Sequence, residues 1–160
     1  MLTTLKDMSD DRKQKFTPWS EGYQAVLQLS ESVRKSGIEP GLLELVKMRA
    51  SQINQCAYCL DMHSKDARAA GETEQRLYGL NAWRETPYYT DRERAALDLT
   101  EAVTLIAETH APLDVIKEAA ALFSPEELTK LVYAIIEINA WNRLAIATGF
   151  EPGSYEPGRP

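Results

Sequence analysis

The sequence predicts an all-α protein, a bundle of about seven helices, because helix-start and helix-stop signals recur along the chain while strand signals are almost absent. No segment sustains the apolar–polar alternation of a half-buried strand, and no Asn-Gly or Asp-Gly pair marks a hairpin turn. Capping residues, prolines and glycines instead bracket stretches with a helical spacing of apolar residues. Of the 160 residues 44% are apolar, which is enough to fill the core of a single domain.

Three helices are predicted before residue 72. Thr17-Pro18 supplies an N-cap and a proline at the first helical position, so the first helix should run from there to Gly37. Pro40 begins the second helix. Its apolar stripe consists of Leu42, Leu43, Val46 and Ile53. Asn54 is expected to end this helix and to cap the third, which carries a cysteine motif and stops at Gly71.

Four more helices are predicted in the second part of the chain. Thr73 caps a short helix through Trp83. The segment 90–93 (TDRE) fits a capping box and begins a helix that should reach about Glu108. Pro112 begins another helix, and the segment 124–127 (SPEE) begins the last one, which is long and should end before Gly149.

The last ten residues differ in composition from the rest. Residues 1–150 are therefore predicted to form one all-α domain, and residues 151–160 an extended tail. This tail holds three of the eight prolines and two of the eight glycines. Because this composition does not favour a helix, we expect the tail to be mobile or draped over a partner subunit.

The net charge of −6 and the sequence pI of about 5.0 argue against nucleic acid or an anionic membrane as a partner, since both would need a basic surface. No apolar run reaches the roughly 18 residues that span a bilayer, and the polar N-terminus lacks the apolar core of a secretory signal. We therefore expect a cytoplasmic protein. In that reducing compartment a Cys-x-x-Cys pair is more often catalytic or metal-binding than structural.

The only two cysteines of the chain, Cys56 and Cys59, stand close to His63, which is one of its two histidines. At helical positions i, i+3 and i+7 the three side chains share one face. A thiol pair that can close into a disulfide, followed by a titratable imidazole, is typical of redox chemistry. If Asn54 caps this helix, Cys56 lies near its second position, where the helix dipole favours a thiolate.

The spacing alone leaves two other interpretations open. The cysteines could be small buried residues with His63 at a polar rim. They could instead bind zinc or iron, with His63 as the third ligand and a carboxylate as the fourth. Glu44 is the carboxylate to consider, although in one straight helix it would lie ~22 Å from Cys59. It reaches the thiols only if the chain turns near Asn54; taken alone, it fits a solvated glutamate of a first helical turn.

The combined pattern Glu44-x11-Cys56-x2-Cys59-x3-His63 resembles the active-site signature of AhpD-like alkylhydroperoxidases, within the carboxymuconolactone decarboxylase-like superfamily. The segments 48–54 (MRASQIN) and 138–143 (INAWNR) resemble a common branch of that family. The resemblance extends over roughly residues 15–150. It implies an all-α fold and assembly as a homo-oligomer, either a trimer or a hexamer.

By this resemblance Cys59 is the peroxidatic thiol and Cys56 the resolving thiol, while Glu44 and His63 form a water-bridged relay that deprotonates Cys59. The assignment opposes the helix-dipole argument for Cys56, and we follow the family because a local relay can reverse that order. Well-studied members carry a second histidine between the cysteines, where this chain has Tyr58. A phenol cannot act as a base near neutral pH, so we expect a simpler relay and weaker activity.

Three further side chains, Tyr58, Trp141 and Arg143, are candidate pocket residues. For Trp141 the main alternative is core packing, and for Arg143 it is packing against the motif helix. The superfamily's namesake decarboxylases lack this cysteine pair, so decarboxylation of a lactone is not expected.

The sequence therefore predicts a thiol-dependent peroxidase of antioxidant defence, which reduces hydroperoxides through a Cys59/Cys56 dithiol–disulfide cycle. No glycine-rich phosphate loop is visible, and neither a bound cofactor nor a metal is expected. An external dithiol reductant, lipoamide-type or thioredoxin-like, would restore the thiols. The alternatives are a general thiol–disulfide oxidoreductase, a redox sensor with little peroxide turnover and a metal-binding protein.

Overall fold

The structure is a computed structural model that describes residues 12–158. It is all-α, as predicted: residues 20–148 form eight α-helices and one 3-10 helix, and no strand occurs among the described residues. The α-helices are α1 (Ser20–Arg34), α2 (Pro40–Asn54), α3 (Ala57–Ala69), α4 (Glu74–Gly79), α5 (Asp91–Thr104), α6 (Ile106–Thr109), α7 (Leu113–Ala120) and α8 (Pro125–Thr148). The 3-10 helix, Leu80–Glu85, follows α4 directly.

Local signals explain most of these boundaries. Complete capping boxes begin α5 and α8. The hydroxyls of Thr90 and Ser124 each accept from the backbone N–H of the glutamate three residues later, and the carboxylate of that glutamate accepts from the backbone N–H of the cap residue. Gly149 ends α8 in the left-handed conformation, with φ at 78°. Thr73 caps α4 by accepting from the N–H of Arg76. These predicted caps are confirmed.

Two predicted helices begin or continue differently. The predicted start at Thr17-Pro18 is wrong, because Trp19 keeps an extended backbone (φ −114°, ψ 95°) and α1 begins only at Ser20. The helix predicted to reach Glu108 breaks at Leu105, whose ψ of 36° interrupts the helical run and separates α5 from α6. This break accounts for one helix more than the seven expected.

Helix α2 is the central element, packing against α3, α5 and α8. Its Val46 is fully buried in a cluster shared with α5 and α8, to which Leu131 and Ile135 also belong. Burying each such side chain contributes about 1.5–3 kcal/mol relative to leaving it in water. The core therefore fixes α2 between the helix that bears the cysteines and the long last helix.

The C-terminal segment 151–158 makes hydrogen bonds to α3 of its own chain. The N–H of Gly153 donates to Asp61 Oδ2 at 3.0 Å. Lys65 Nζ donates to the carbonyls of Gly153 at 3.3 Å and Tyr155 at 3.0 Å. Residues 159–160 of the predicted tail lie outside the described residues, as do residues 1–11, which form most of the polar N-terminus. Among the described helices, none combines the length and hydropathy needed to cross a bilayer.

Candidate active site

A tight turn between α2 and α3 builds the site. Gln55 ends α2 in the left-handed conformation (φ 56°, ψ 40°). The N–H groups of Gln55 and Cys56 donate to the carbonyls of Gln52 (3.2 Å) and Ser51 (3.0 Å), which satisfies the end of the helix. Since only two residues separate the helices, α3 folds back along α2 and the two pack side by side. This is the turn that Glu44 needs in order to reach the motif.

The predicted N-cap of the motif helix is wrong. Asn54 does not cap α3; its Nδ2 donates to the Oδ1 atoms of Asn139 (3.0 Å) and Asn142 (2.8 Å) on α8. Cys56 is itself the N-cap, and its Sγ accepts from the N–H of Cys59 at 3.3 Å. The side-chain bonds to α8 hold the end of α2, and the turn that follows moves the start of α3 by two residues.

Cys56 and Cys59 are joined by a disulfide, with their Cα atoms 5.3 Å apart. Both are buried, at 1% and 3% exposure, and they pack with Ala50 and Ile138. The two sulfurs have different surroundings, however. Cys59 lines a cavity beside α3, whereas Cys56 is not among the residues that line it.

Glu44 and His63 are in direct contact, with Glu44 Oε2 2.9 Å from Nδ1 of the ring. Their side chains are 17% and 6% exposed, so water screens this contact only weakly. An ionised carboxylate can only accept a hydrogen bond, so Nδ1 carries the proton and Nε2 is left as the ring nitrogen that can take another. Within the expected relay, Glu44 and His63 are therefore joined by a direct hydrogen bond.

The cavity beside Cys59 has a volume of about 400 Å³ and lies among α1, α2, α3 and α8. Both Glu44 and His63 reach it, so the thiol position, the imidazole and the carboxylate share one space. Its aromatic walls consist of Tyr23, Tyr58, Trp141 and Phe150. The cavity combines an apolar lining for an organic group with titratable side chains at one end.

Two of the three predicted pocket residues line this cavity. Tyr58 meets the edge of Phe150, with ring centroids 5.2 Å apart. Trp141 donates from Nε1 to Ser30 Oγ at 2.8 Å. Arg143 lies elsewhere: it donates to Asn139 and lines a separate apolar groove of about 650 Å³. A separation of two residues along a helix corresponds to a rotation of roughly 200°. Trp141 and Arg143 therefore lie on opposite faces of α8.

The structure adds two charged residues that the sequence analysis missed. Lys47 Nζ lies 3.9 Å from Glu44 Oε1 and 3.9 Å from Glu137 Oε2. Glu137 is only 2% exposed, and its Oε1 accepts from Ser30 Oγ at 2.6 Å. Its Oε2 has no hydrogen-bond partner among the described residues. A signal for Glu137 existed, since it is the one charged residue in the apolar stretch 131–138 of the last helix.

A third acidic residue, Asp66, completes a small cluster with Glu44 and His63. The candidate ligand atoms of the three lie within 4.8 Å of one another, so these residues are the ones that could hold a divalent cation. Asp66 Oδ1 accepts from the hydroxyl of Tyr155 in the C-terminal segment at 2.7 Å. Burial and the hydrogen bond to Asp66 raise the pKa of Tyr155 to about 12.

Comparison with known proteins places this architecture in a family. The carboxymuconolactone decarboxylase family model matches residues 20–102, just over half of the chain. The chain belongs to the carboxymuconolactone decarboxylase family. Its similarity to the uncharacterized protein YdfG of Bacillus subtilis (strain 168) is 42% identity over 129 residues, covering 81% of this chain and 88% of YdfG.

Two of the solved structures that resemble this chain carry different names. A protein of unknown function from Agrobacterium tumefaciens, described as a candidate antioxidant defence protein AhpD, is 44% identical. It superposes with a TM-score of 0.83 over 86% of this chain and 94% of that one, so the present chain is AhpD-like. The debrominase Bmp8 superposes with a TM-score of 0.70 at 20% identity, over 81% of this chain and 70% of that one. At that identity the similarity concerns the fold alone.

Proposed function

We propose that this protein is a thiol-dependent peroxidase that reduces alkyl hydroperoxides through a Cys59/Cys56 dithiol–disulfide cycle in antioxidant defence. The observation that carries the proposal is the asymmetry of the two sulfurs. Cys59 lines the cavity that also holds His63 and Glu44, while Cys56 lies behind it. A hydroperoxide in the cavity therefore meets Cys59, and Cys56 is close enough to resolve the product.

The cycle has three steps after the thiols are reduced. His63 Nε2, with Nδ1 held by Glu44, accepts the proton of the Cys59 thiol. The thiolate attacks the distal oxygen of the hydroperoxide, the O–O bond breaks, and a sulfenic acid and an alcohol form. The Cys56 thiol then condenses with the sulfenic acid, which releases water and restores the disulfide.

The cycle needs an external dithiol, of lipoamide or thioredoxin type, to reduce the disulfide. No bound cofactor takes part in the proposed reaction. We place the reaction in the cytoplasm and in a homo-oligomer, a trimer or hexamer. Support for an oligomer comes from large apolar side chains on the surface of one chain, including Trp19 at 73% and Leu113 at 64% exposure.

Tyr58 occupies the position where better-known relatives have a second histidine. Its ring packs against Phe150 and shapes the wall of the cavity. We propose that it contributes contact area to an organic substrate and takes no part in proton transfer, which leaves His63 as the single imidazole base.

The test uses fully reduced protein mixed rapidly with one equivalent of cumene hydroperoxide. Wild type should lose both thiols together, and dihydrolipoamide should restore both. Cys59→Ser should not consume peroxide, whereas Cys56→Ser should consume one equivalent and stop at the sulfenic acid, which a dimedone probe traps. Peroxide consumption by Cys59→Ser at the wild-type rate would contradict the assignment.

Two other outcomes would favour the alternatives. Fast oxidation by small disulfides with slow peroxide consumption would indicate a general thiol–disulfide oxidoreductase. Oxidation by peroxide without recovery by any dithiol would indicate a redox sensor. Either result would overturn the proposed peroxidase cycle, because that cycle needs both half-reactions at comparable rates.

A further inference from the structure

Lys47 and Glu137 form a charged pair inside the cavity that the cycle above does not use. The side chain of Lys47 is 12% exposed and that of Glu137 is 3% exposed, so both charges are largely withdrawn from water. They come from α2 and α8, the two helices that the core fixes against each other. Burial of two opposite charges is costly, so this pair is weak evidence of a stabilising role.

The pair is incompletely satisfied. Lys47 Nζ stands 3.9 Å from Glu44 Oε1 and 3.9 Å from Glu137 Oε2, distances at which neither contact is a hydrogen bond. The two carboxylates more than offset the single positive charge of the ammonium group, yet its N–H groups remain available to a third acceptor. Glu137 Oε2 likewise has no hydrogen-bond partner among the described residues. The two residues line one cavity, and their unused hydrogen-bonding capacity calls for an explanation beyond packing.

Glu44 links this pair to the thiol chemistry. Its Oε2 contacts His63 Nδ1, while its Oε1 faces Lys47. One carboxylate thus lies between the base that receives the thiol proton and Lys47, the one ammonium group among the described residues that line the cavity. The other charged or titratable groups that line it are Glu31 and Arg34 from α1, Tyr58 and Asp66 from α3, and Tyr23 from α1.

We infer that Lys47 is the acid that protonates the leaving alkoxide when the O–O bond breaks, an inference that rests on the proposed peroxidase function. The Cys59 thiolate forms a bond to the distal oxygen, and the electron pair of the O–O bond leaves with the proximal oxygen as an alkoxide. Lys47 gives that oxygen a proton and becomes a neutral amine. The proton taken from the thiol passes through His63 and Glu44 to recharge Lys47, so thiol and hydroperoxide yield sulfenic acid and alcohol with no proton lost.

Glu137 is the positioning residue for this acid. Ser30 holds its Oε1, which leaves Oε2 directed at Lys47. Its charge keeps the ammonium group at the cavity wall, while the 3.9 Å distance leaves the N–H groups of Lys47 free of a hydrogen bond to Glu137.

The experiment compares three reagents that react with Cys59 but release different leaving groups, all in a Cys56→Ser background. Cumene hydroperoxide releases an alkoxide that needs a proton. Peracetic acid releases a carboxylate, which needs none at neutral pH because carboxylic acids titrate near ~4. Iodoacetamide releases iodide and reports only on the thiolate.

Lys47→Met should slow the reaction with cumene hydroperoxide by about 100-fold, the usual size of general acid catalysis, and leave the other two rates essentially unchanged. Lys47→Arg should stay slow with cumene hydroperoxide, because a guanidinium does not give up its proton. Glu44→Gln should slow all three reagents, since it disables the base. Lys130→Met on the surface of α8, where Lys130 pairs with Glu126, is the matched control and should change none of them.

Several results would overturn the inference. Equal slowing of all three reactions by Lys47→Met would mean that Lys47 acts in forming the thiolate or in maintaining the fold. An unchanged rate with cumene hydroperoxide would mean that Lys47 takes no part in the reaction. Rescue by Lys47→Arg would exclude proton transfer. If Lys47→Met does not fold, Glu137→Gln provides the second test. It should slow the reaction with cumene hydroperoxide by a smaller factor and leave the rates with peracetic acid and iodoacetamide unchanged. Slowing of all three reactions by Glu137→Gln would count against the inference. Wild-type protein that is alkylated but reacts with no peroxide would instead overturn the proposed function.

Discussion

Two partly buried acidic clusters of this protein contain the same kinds of residue but are built differently. Around Glu101, Oε1 accepts from Arg49 Nε at 2.8 Å and from Trp83 Nε1 at 2.7 Å, and Oε2 accepts from Arg84 at 2.5 Å. Burial alone would raise the pKa of Glu101, but the hydrogen bonds from Trp83 and Arg84 and the charge of Arg49 together hold it below its ordinary value. Every acceptor there is used, and the cluster joins α2, α5 and the 3-10 helix.

The cavity cluster around Glu44 leaves some of its hydrogen-bond donors and acceptors unused. Lys47 stands 3.9 Å from two carboxylates, and one oxygen of Glu137 has no hydrogen-bond partner among the described residues. A saturated cluster stabilises the fold, because each hydrogen bond to a charged group contributes about 1.5–3 kcal/mol. An unsaturated cluster gains less stability and keeps donors and acceptors for a ligand. On the proposed function, this contrast distinguishes a structural ion-pair network from a reactive one, although both are built from carboxylates and basic side chains.

The largest expected effect is on reactivity at the cavity cluster. Glu44→Gln removes the carboxylate that holds the Nδ1 proton of His63, so the rate of Cys59 alkylation at neutral pH should fall by about 100-fold or more. Iodoacetamide alkylation of the Cys56→Ser background measures this rate across pH. The exposed Glu126→Gln serves as the control, with 78% of its side chain in water. An unchanged alkylation rate would show that Glu44 is only a partner in packing.

The opposite pattern is expected at the saturated cluster. Glu101→Gln leaves Arg49 without its carboxylate, while Arg84 keeps only Asp98, and should lower the free energy of unfolding by about 2–3 kcal/mol. Urea denaturation measures the loss, while the peroxide and alkylation rates should remain at wild-type values. Glu108→Gln, at an exposed position, should alter neither quantity. Loss of reactivity in folded Glu101→Gln would remove the distinction between the two clusters.

A smaller effect of the opposite sign is expected at Glu137. Glu137→Gln retains an oxygen that can accept from Ser30, and it removes a buried charge whose Oε2 has no hydrogen-bond partner among the described residues. The free energy of unfolding should therefore stay unchanged or rise by up to about 1 kcal/mol. Urea denaturation beside Glu101→Gln gives the comparison. A loss as large as that of Glu101→Gln would mean that Glu137 has a structural role instead.

The smallest effect concerns the C-terminal segment at the edge of the cavity cluster. A tyrosine in an unfolded chain titrates near ~10, whereas burial and the hydrogen bond to Asp66 raise the pKa of Tyr155 to about 12. The protonated phenol is the form that folding favours. Its contribution, about 1 kcal/mol for one hydrogen bond, is therefore fully present below pH ~10 and is lost as the pH rises toward 12.

Tyr155→Phe tests this contribution. Burial also raises the pKa of Tyr89 to about 12, so only the difference in tyrosinate absorbance between wild type and variant isolates Tyr155. Amide hydrogen exchange in residues 151–158 should be faster in Tyr155→Phe at neutral pH, and Tyr78→Phe should leave it unchanged, since Tyr78 is 74% exposed. Equal exchange in all three proteins would show that the backbone contacts of Lys65 and Asp61 alone hold the segment.

Local chemistry made most of the fold predictable. The capping boxes at Thr90 and Ser124 and the glycine at 149 act through neighbours within a few residues, so their outcomes could be predicted from the chain alone. The start of the motif helix was mispredicted at Asn54 because that side chain bonds to asparagines 85 and 88 residues away on α8. Asn54 is suited to capping, but its side chain is hydrogen-bonded to α8, and Cys56 is the N-cap instead.

The sequence by itself determined the helical class, the candidate reactive side chains and their spacing, because these depend on composition, periodicity and covalent order. Only the tertiary structure decided which sulfur faces the cavity, that Glu44 contacts His63 directly, and that Lys47 and Glu137 join them while Arg143 does not. The physical reason is that each of these facts depends on how α2, α3 and α8 pack. A rotation of one helix by two residues moves a side chain to the opposite face, and the residues next to it in sequence do not determine that rotation.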